Sequence, residues 1–182
     1  MPTPADLRRR ARAVRLLVLD VDGVLTDGTL YYSASGEELK AFNIQDGLGI
    51  KMLQANGVEV AILTGRASRA LELRAENLGI RHVRQGVEHK LAAYAELLRL
   101  LELEQSQAAC MGDDLPDLPV FRRCALAATV PEAPQAVRAH AHYVTQRAGG
   151  RGAVRELCEL ILDAQDTLQS QLAHYLGEEQ QR

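Results

Sequence analysis

Asp20 and Asp22 stand one residue apart in the stretch RLLVLDVDGVLTDG, Arg15 to Gly28, directly after the apolar run Leu16–Leu19 and just before Gly23. Such a run suits a strand buried on both faces of a parallel sheet. A buried strand that ends in two carboxylates is costly unless they pair or do chemistry. Three other places repeat the pattern of polar groups at element ends. They are Thr64-Gly65 after Val58–Leu63, Lys90 at the start of a helix, and Gly112-Asp113-Asp114-x-x-Asp117 after Ala108–Met111. Singly, each has an ordinary reading: a strand end, a solvated lysine, a loop with a helix cap. If the strands are parallel, all of them converge on one sheet edge, where ligand sites of open α/β sheets lie.

Together these groups suit phosphoryl transfer, in which positioning and charge neutralisation dominate. Carboxylates beside a phosphate need a hard cation, and Mg²⁺ takes one or two carboxylates, waters and the substrate phosphate. Asp20 and Asp113 are the natural ligands. Asp20 can also attack phosphorus and form an aspartyl-phosphate. Asp22 can protonate the leaving alkoxide and then take a proton from water. The Thr64 hydroxyl and nearby backbone N–H groups can hold phosphoryl oxygens, and Lys90 supplies positive charge. Arg66 either pairs bidentately with a substrate carboxylate or makes a surface salt bridge. Asp114 and Asp117 either touch metal or orient Lys90 and the ligands.

The elements that must position these groups alternate. Strands are expected at Leu16–Leu19, Val58–Leu63, about Arg81–Arg84, Ala108–Met111, Leu126–Val130 and His142–Thr145. Helices are expected from Asp46, as cap, to about Asn56, over Ala67–Leu78 closed by Gly79, over Glu88–Leu103, near Ala133–Ala139, and from Gly152 to about Tyr175. Thr29–Tyr32 and Leu39–Phe42 read as a hairpin around Ser33–Gly36. The pattern predicts a mostly parallel sheet with helices on both faces.

The chain has 182 residues, 47% hydrophobic and 25% charged, with a net charge of −3. This fits one globular domain, with a core at about 15–165 and a helix end and fraying tail at 166–182. The balance argues against a nucleic-acid partner, which needs a basic face. No stretch reaches the ~20 apolar residues of a membrane span. The arginine-rich start, Arg8 to Arg15, reads as a solvated first helix. Cys110, Cys124 and Cys158 lack CxxC spacing, and a reduced, cytoplasmic protein is expected.

DVDGVLTD at 20–27, TGR at 64–66, Lys90 in Gln85-Gly86-x-x-x-Lys90, and GDDLPD at 112–117 resemble the four motifs of the haloacid dehalogenase-like phosphatases. The resemblance implies a Rossmann-like three-layer α/β/α sandwich, Mg²⁺, and the roles given above. It adds the backbone carbonyl of Asp22 as a metal ligand. The segments between Asp20 and Thr64 and between Thr64 and Lys90 are too short for the mobile cap domains of this family. GEELKAFNIQDGLGI at 36–50, ILTGRAS at 62–68, LGI at 78–80 and AGGRGAVREL at 148–157 resemble a capless subgroup acting on phosphorylated 2-keto sugar acids. That likeness covers about Arg15 to Gln165. It implies substrate binding by Gly65, Arg66, Lys90 and Arg151, and a homotetramer built by the hairpin near 29–42. Gly149-Gly150-Arg151-Gly152 would otherwise be an ordinary loop before a helix. The substrate that the resemblance implies is an eight-carbon acid phosphate of lipopolysaccharide synthesis or a nine-carbon sialic-acid type, with Arg66 favouring the former. Two other classes share parts of the pattern. A phospho-receiver domain places its acidic pair before the acceptor Asp and its Lys last, the reverse of the order here. A non-catalytic oligomerisation domain would lack Asp20 or Asp22.

Overall fold

The computed structural model describes residues 2–177. In chain order the elements are α1 (Pro4–Arg12), β1 (Leu16–Leu19), β2 (Tyr31–Tyr32), β3 (Glu38–Leu39), α2 (Ile44–Ala55), β4 (Glu59–Leu63), α3 (Arg69–Leu78), β5 (His82–Arg84) and α4 (Lys90–Leu100). Then follow β6 (Ala108–Met111), α5 (Leu118–Phe121), β7 (Leu126–Thr129), α6 (Gln135–Arg138), β8 (Tyr143–Val144), α7 (Ala153–Ala164) and α8 (Leu168–Tyr175). Six strands form one parallel sheet in the order β5-β4-β1-β6-β7-β8.

Every residue of β1, β6 and β7 is buried, so both faces of the sheet are covered. Helices α1 and α2 both pack on α7, and α4 packs with α5. The result is the expected Rossmann-like three-layer α/β/α sandwich. Val154, Leu157, Cys158, Ile161 and Leu162 form the buried stripe of α7 at the spacing of a helix face. Gly49 of α2 lets the two helices approach: a Cβ there would stand 3.1 Å from the Arg155 Cα and 3.2 Å from the Cys158 Cβ. Cys110, Cys124 and Cys158 are buried free thiols in the core, their ionisation pushed up by burial.

The connections are short. Between β1 and β4 lie only the β2–β3 hairpin and α2, and between β4 and α4 only α3 and β5. No cap domain stands in either place. No helix among the described residues is long and apolar enough to cross a membrane.

Several local expectations are corrected. α2 is capped by Asn43, whose Oδ1 accepts from the Gln45 N–H at 2.7 Å and the Asp46 N–H at 3.4 Å. Asp46 is instead buried and caps α7, as described below. The last helix is two helices, broken at Gln165–Thr167 with Asp166 in the left-handed region at φ 60°. The apolar stripe ends there, and Arg8 and Arg12 hold the turn. Arg8 lies 3.1 Å from Asp163 and 2.7 Å from Asp166, and Arg12 lies 2.8 Å from Asp166. The basic first helix is therefore docked against α7 rather than simply solvated. The hairpin ladder is shorter than expected, pairing Tyr31 with Leu39 and Tyr32 with Glu38. The tail beyond Gly177 lies outside the described residues.

Candidate active site

β4, β1 and β6 are neighbours at the centre of the sheet, so their C-terminal ends open side by side. Asp20 follows β1 and its N–H bonds the Met111 carbonyl at 2.9 Å. Thr64 follows β4, and Asp113 comes two residues after β6. From β1 the chain steps through β4 to β5, then returns to β6 on the other side of β1. This is a topological switch point, the crevice where such sheets bind ligands.

Asp20, Asp113 and Asp117 each bring a carboxylate oxygen to within 4.8 Å of the others. Lys90, buried at the first position of α4, places Nζ 3.1 Å from Asp20 Oδ2 and 2.7 Å from Asp117 Oδ1. The other oxygen of Asp117 accepts from the Asp113 and Asp114 N–H groups at 3.1 and 3.2 Å. Both oxygens of Asp117 are thus committed to shaping the site. Two glycines permit the close approach. A Cβ at Gly112 would stand 2.1 Å from Asp117 Cγ, and one at Gly23, where φ is +87°, would stand 2.0 Å from Asp113 Oδ2.

Three carboxylates share one ammonium here. Burial and then the charge of Asp117 push Asp20 up to about 6, although Lys90 pulls it down. Burial, then Asp20, Asp117 and Asp114, push Asp113 up to about 7. Burial works against the charge on Lys90, yet Asp20 and Asp117 hold it above its usual value. Negative charge so crowded fits a hard divalent cation. Asp20 and Asp113 are the carboxylates available to hold one.

Asp22 faces the other way, toward the hairpin. Lys40 Nζ contacts Asp22 Oδ1 and lies 3.3 Å from Glu38 Oε1. Arg66 Nη2 lies 2.5 Å from Glu38 Oε2 and 3.3 Å from Tyr32 Oη, while its Nε is 3.7 Å from Asp22 Oδ2. Sequence reasoning missed Lys40, Glu38 and Tyr32. A usable signal was the spacing Glu38-x-Lys40, which in extended chain puts two opposite charges on one side.

A cleft of about 370 Å³ is lined by Asp20, Asp22, Thr64, Arg66, Lys90 and Asp113, with Gly65, Asp114 and Asp117 at its wall. Thr64 is buried, and its Oγ1 accepts from the Arg66 N–H at 3.4 Å. Asp114 is exposed and caps the short turn Leu115–Asp117 through the Leu115 N–H at 2.8 Å. Arg151 is not brought into this cleft. It lines a neighbouring pocket of about 250 Å³ with Asp27 and Glu132, which shares Gly28 and Asp113 with the cleft. A larger cavity of about 650 Å³, between Leu91, Leu115 and Arg122, contains none of the carboxylates.

The backbone beside Arg151 does reach the site. The Gly150 N–H bonds the Val24 carbonyl at 2.9 Å, and a Cβ at Gly149 would stand 1.9 Å from the Gly23 oxygen. Asp46 braces this loop, accepting from the Gly152 and Arg155 N–H groups at 3.3 and 2.8 Å. Those N–H groups have no acceptor within the helix at the N-terminus of α7, where a carboxylate is favoured.

The arrangement joins a carboxylate at the end of β1, an acidic cluster able to hold a cation, a buried hydroxyl and lysine, and a second carboxylate on the same turn. Residues 83–157 match the haloacid dehalogenase-like hydrolase family. The chain is 51% identical to the 3-deoxy-D-manno-octulosonate 8-phosphate phosphatase KdsC of Yersinia pestis, over 92% of this chain and 90% of that one. It is 48% identical to KdsC of Escherichia coli K12, over 92% and 89%. The crystal structure of the Moraxella catarrhalis phosphatase of the same name, in complex with magnesium ion, phosphate ion and KDO, superposes with a TM-score of 0.93. That match has 42% identity and covers 94% of this chain and 99% of that one. A cleft with this chemistry, on this sheet, in a chain so similar to these enzymes over nearly its whole length, belongs to the haloacid dehalogenase-like phosphatases, in the branch of the 3-deoxy-D-manno-octulosonate 8-phosphate phosphatases.

Proposed function

We propose that this protein is a Mg²⁺-dependent phosphomonoesterase. It hydrolyses 3-deoxy-D-manno-octulosonate 8-phosphate to 3-deoxy-D-manno-octulosonate and phosphate, through an aspartyl-phosphate on Asp20. The observation that carries the reading is the Asp20–Asp113–Asp117 cluster held on Lys90, with Asp22 beside it on the same turn.

Asp20 attacks phosphorus, forming a carboxylate O–P bond as the bond from phosphorus to the sugar oxygen breaks. Asp22 gives its proton to that departing oxygen. Water then attacks phosphorus, its proton passes to Asp22, and the Asp20–phosphorus bond breaks to release phosphate. Mg²⁺, held by Asp20, Asp113 and the backbone carbonyl of Asp22, supplies positive charge to the phosphoryl oxygens when bound. The Thr64 hydroxyl and the Gly65 N–H hold phosphoryl oxygens, and Lys90 offsets their charge. Asp117 orients Lys90, and Asp114 shapes the turn without touching metal. Arg66 leaves Glu38 to pair with the substrate carboxylate. Arg151 adds positive charge from the neighbouring pocket.

The same reading makes the chain one catalytic domain, acting in the cytoplasm in lipopolysaccharide synthesis. It works as a homotetramer whose subunits cover one another's open clefts. Leu30, Tyr31, Tyr32, Leu39 and Ile44 are exposed on and beside the hairpin, an apolar patch that supports assembly there. Light scattering of the purified protein checks the assembly.

The test of the function is phosphate release with Mg²⁺ and with chelator. 3-deoxy-D-manno-octulosonate 8-phosphate is offered beside a nine-carbon keto-sugar 9-phosphate, with Asp20→Asn as control. Mg²⁺-dependent preference for the eight-carbon substrate, lost in the variant, is expected. Preference for the nine-carbon substrate moves the pathway. Release from neither overturns the assignment.

A further inference from the structure

We propose that Lys40, on the hairpin, is a positioning residue that fixes the Asp22 carboxyl so that Oδ2 is the oxygen handling the proton. The proposal rests on the reading of Asp22 as acid and base. Two observations carry it. The Lys40 side chain is only 3% exposed, and its Nζ contacts Asp22 Oδ1. Asp22 Oδ2, on the same carboxyl, is buried and accepts no hydrogen bond among the described residues, its ion-pair partner Arg66 standing off with Nε at 3.7 Å.

A carboxyl on a short side chain turns easily about its last torsion. Tying Oδ1 to a shielded ammonium removes that freedom and leaves one oxygen to meet the leaving group. Asp22 lines the cleft that contains Asp20, so its carboxyl stands at the edge of the reaction space. A shielded pair of this kind is little weakened by salt, unlike an exposed one. Glu38 completes the device. Its Oε1 lies 3.3 Å from Lys40 Nζ, and its Oε2 holds Arg66. When Asp22 carries the proton, Glu38 still holds Lys40 where it is. The two carboxylates and two cations of this group balance, so nothing in it calls for a metal.

Asp22 supplies a proton only when the leaving oxygen needs one. An aryl phosphate such as p-nitrophenyl phosphate leaves without it, whereas an alkyl phosphate does not. The experiment measures kcat/KM, which reports transfer to Asp20, for wild type, Lys40→Met, Lys40→Gln and Asp22→Asn. Three substrates are used: 3-deoxy-D-manno-octulosonate 8-phosphate, glycerol 3-phosphate and p-nitrophenyl phosphate. Circular dichroism and hydrodynamic size confirm that each variant folds and assembles.

The Lys40 variants are expected to lose about 10- to 100-fold on both alkyl phosphates, part of the ~10²–10⁴-fold of a general acid. On the aryl phosphate they stay within about threefold of wild type. Equal loss on all three substrates overturns the proposal in favour of a scaffold role. Loss confined to the sugar-acid substrate overturns it in favour of a carboxylate anchor. Asp22→Asn separates the two levels. If it too loses equally on every substrate, the acid role of Asp22 fails and the Lys40 proposal falls with it. If Asp22→Asn shows the leaving-group pattern and the Lys40 variants do not, only the Lys40 proposal falls.

Discussion

The two sides of the cleft treat charge in opposite ways. On the sheet side, Asp20, Asp113 and Asp117 face one cation, Lys90, and burial pushes Asp20 and Asp113 upward. On the hairpin side, Asp22 and Glu38 face Lys40 and Arg66, and the charges cancel. The first group is mounted on central strand ends and a helix start, braced by backbone N–H groups. The second depends on a ladder of two residue pairs. The difference teaches a division of labour. The sheet side, hydrogen-bonded to backbone N–H groups, is short of positive charge and suits a cation. The hairpin side is complete in itself, its two carboxylates matched by two cations.

The comparison breaks most visibly at Asp117, whose two oxygens join Lys90 to the Asp113–Asp114 backbone. Asp117→Asn should lower kcat by about 10- to 100-fold, the usual cost of losing a partner that orients a metal ligand. Steady-state kinetics over a Mg²⁺ titration checks this. An unchanged rate would mean that Lys90 and Asp113 need no such brace.

A smaller effect sharpens the charge deficit itself. Asp20 and Asp113 titrate near 6 and 7 in the metal-free fold, against 3.8 when unfolded. Between about pH 4 and 7 the native state therefore holds more protons than the unfolded state, and stability is lost as pH rises through that window. Without Mg²⁺ the melting temperature should fall from pH 5 to pH 8. Mg²⁺ displaces those protons, so it should stabilise more at pH 8 than at pH 5. Scanning calorimetry with and without chelator reads both trends. Equal stabilisation at the two pH values would contradict the deficit.

The smallest effect concerns Asp46, away from both groups. Asp46→Ala leaves the Gly152 and Arg155 N–H groups without their acceptor and should cost about 1–3 kcal/mol. Urea unfolding measures it. No loss would show that the loop against Gly23 stands unaided.

The sheet side was legible in the sequence because its parts sit at element ends with distinct types. Asp20, Thr64, Lys90 and Asp113 each follow or begin a strongly patterned segment, and the parallel sheet lines them up. Lys40 and Glu38 were not legible. Glu38 lies on a two-residue strand and Lys40 just after it, and the fold of the hairpin back over Asp22 is a tertiary event. Asp46 was misread for a related reason. An acid in the first turn of a helix looks like that helix's own cap, and only the packing of α2 on α7 shows which N–H groups it serves. Asp166 likewise breaks a stripe that composition alone would continue to Tyr175. Arg151 shows the limit from the other direction, since its loop reaches the catalytic turn by backbone while its side chain lines the next pocket.

The most direct test of the account is to trap the covalent intermediate. Enzyme with Mg²⁺ is mixed with substrate carrying a labelled phosphoryl group, quenched in acid within one turnover, digested, and the labelled peptide sequenced. A hydroxylamine-labile label on Asp20 is expected, absent with chelator and absent in Asp20→Asn. Wild-type turnover with no labelled peptide, or a label on any other residue, would contradict it.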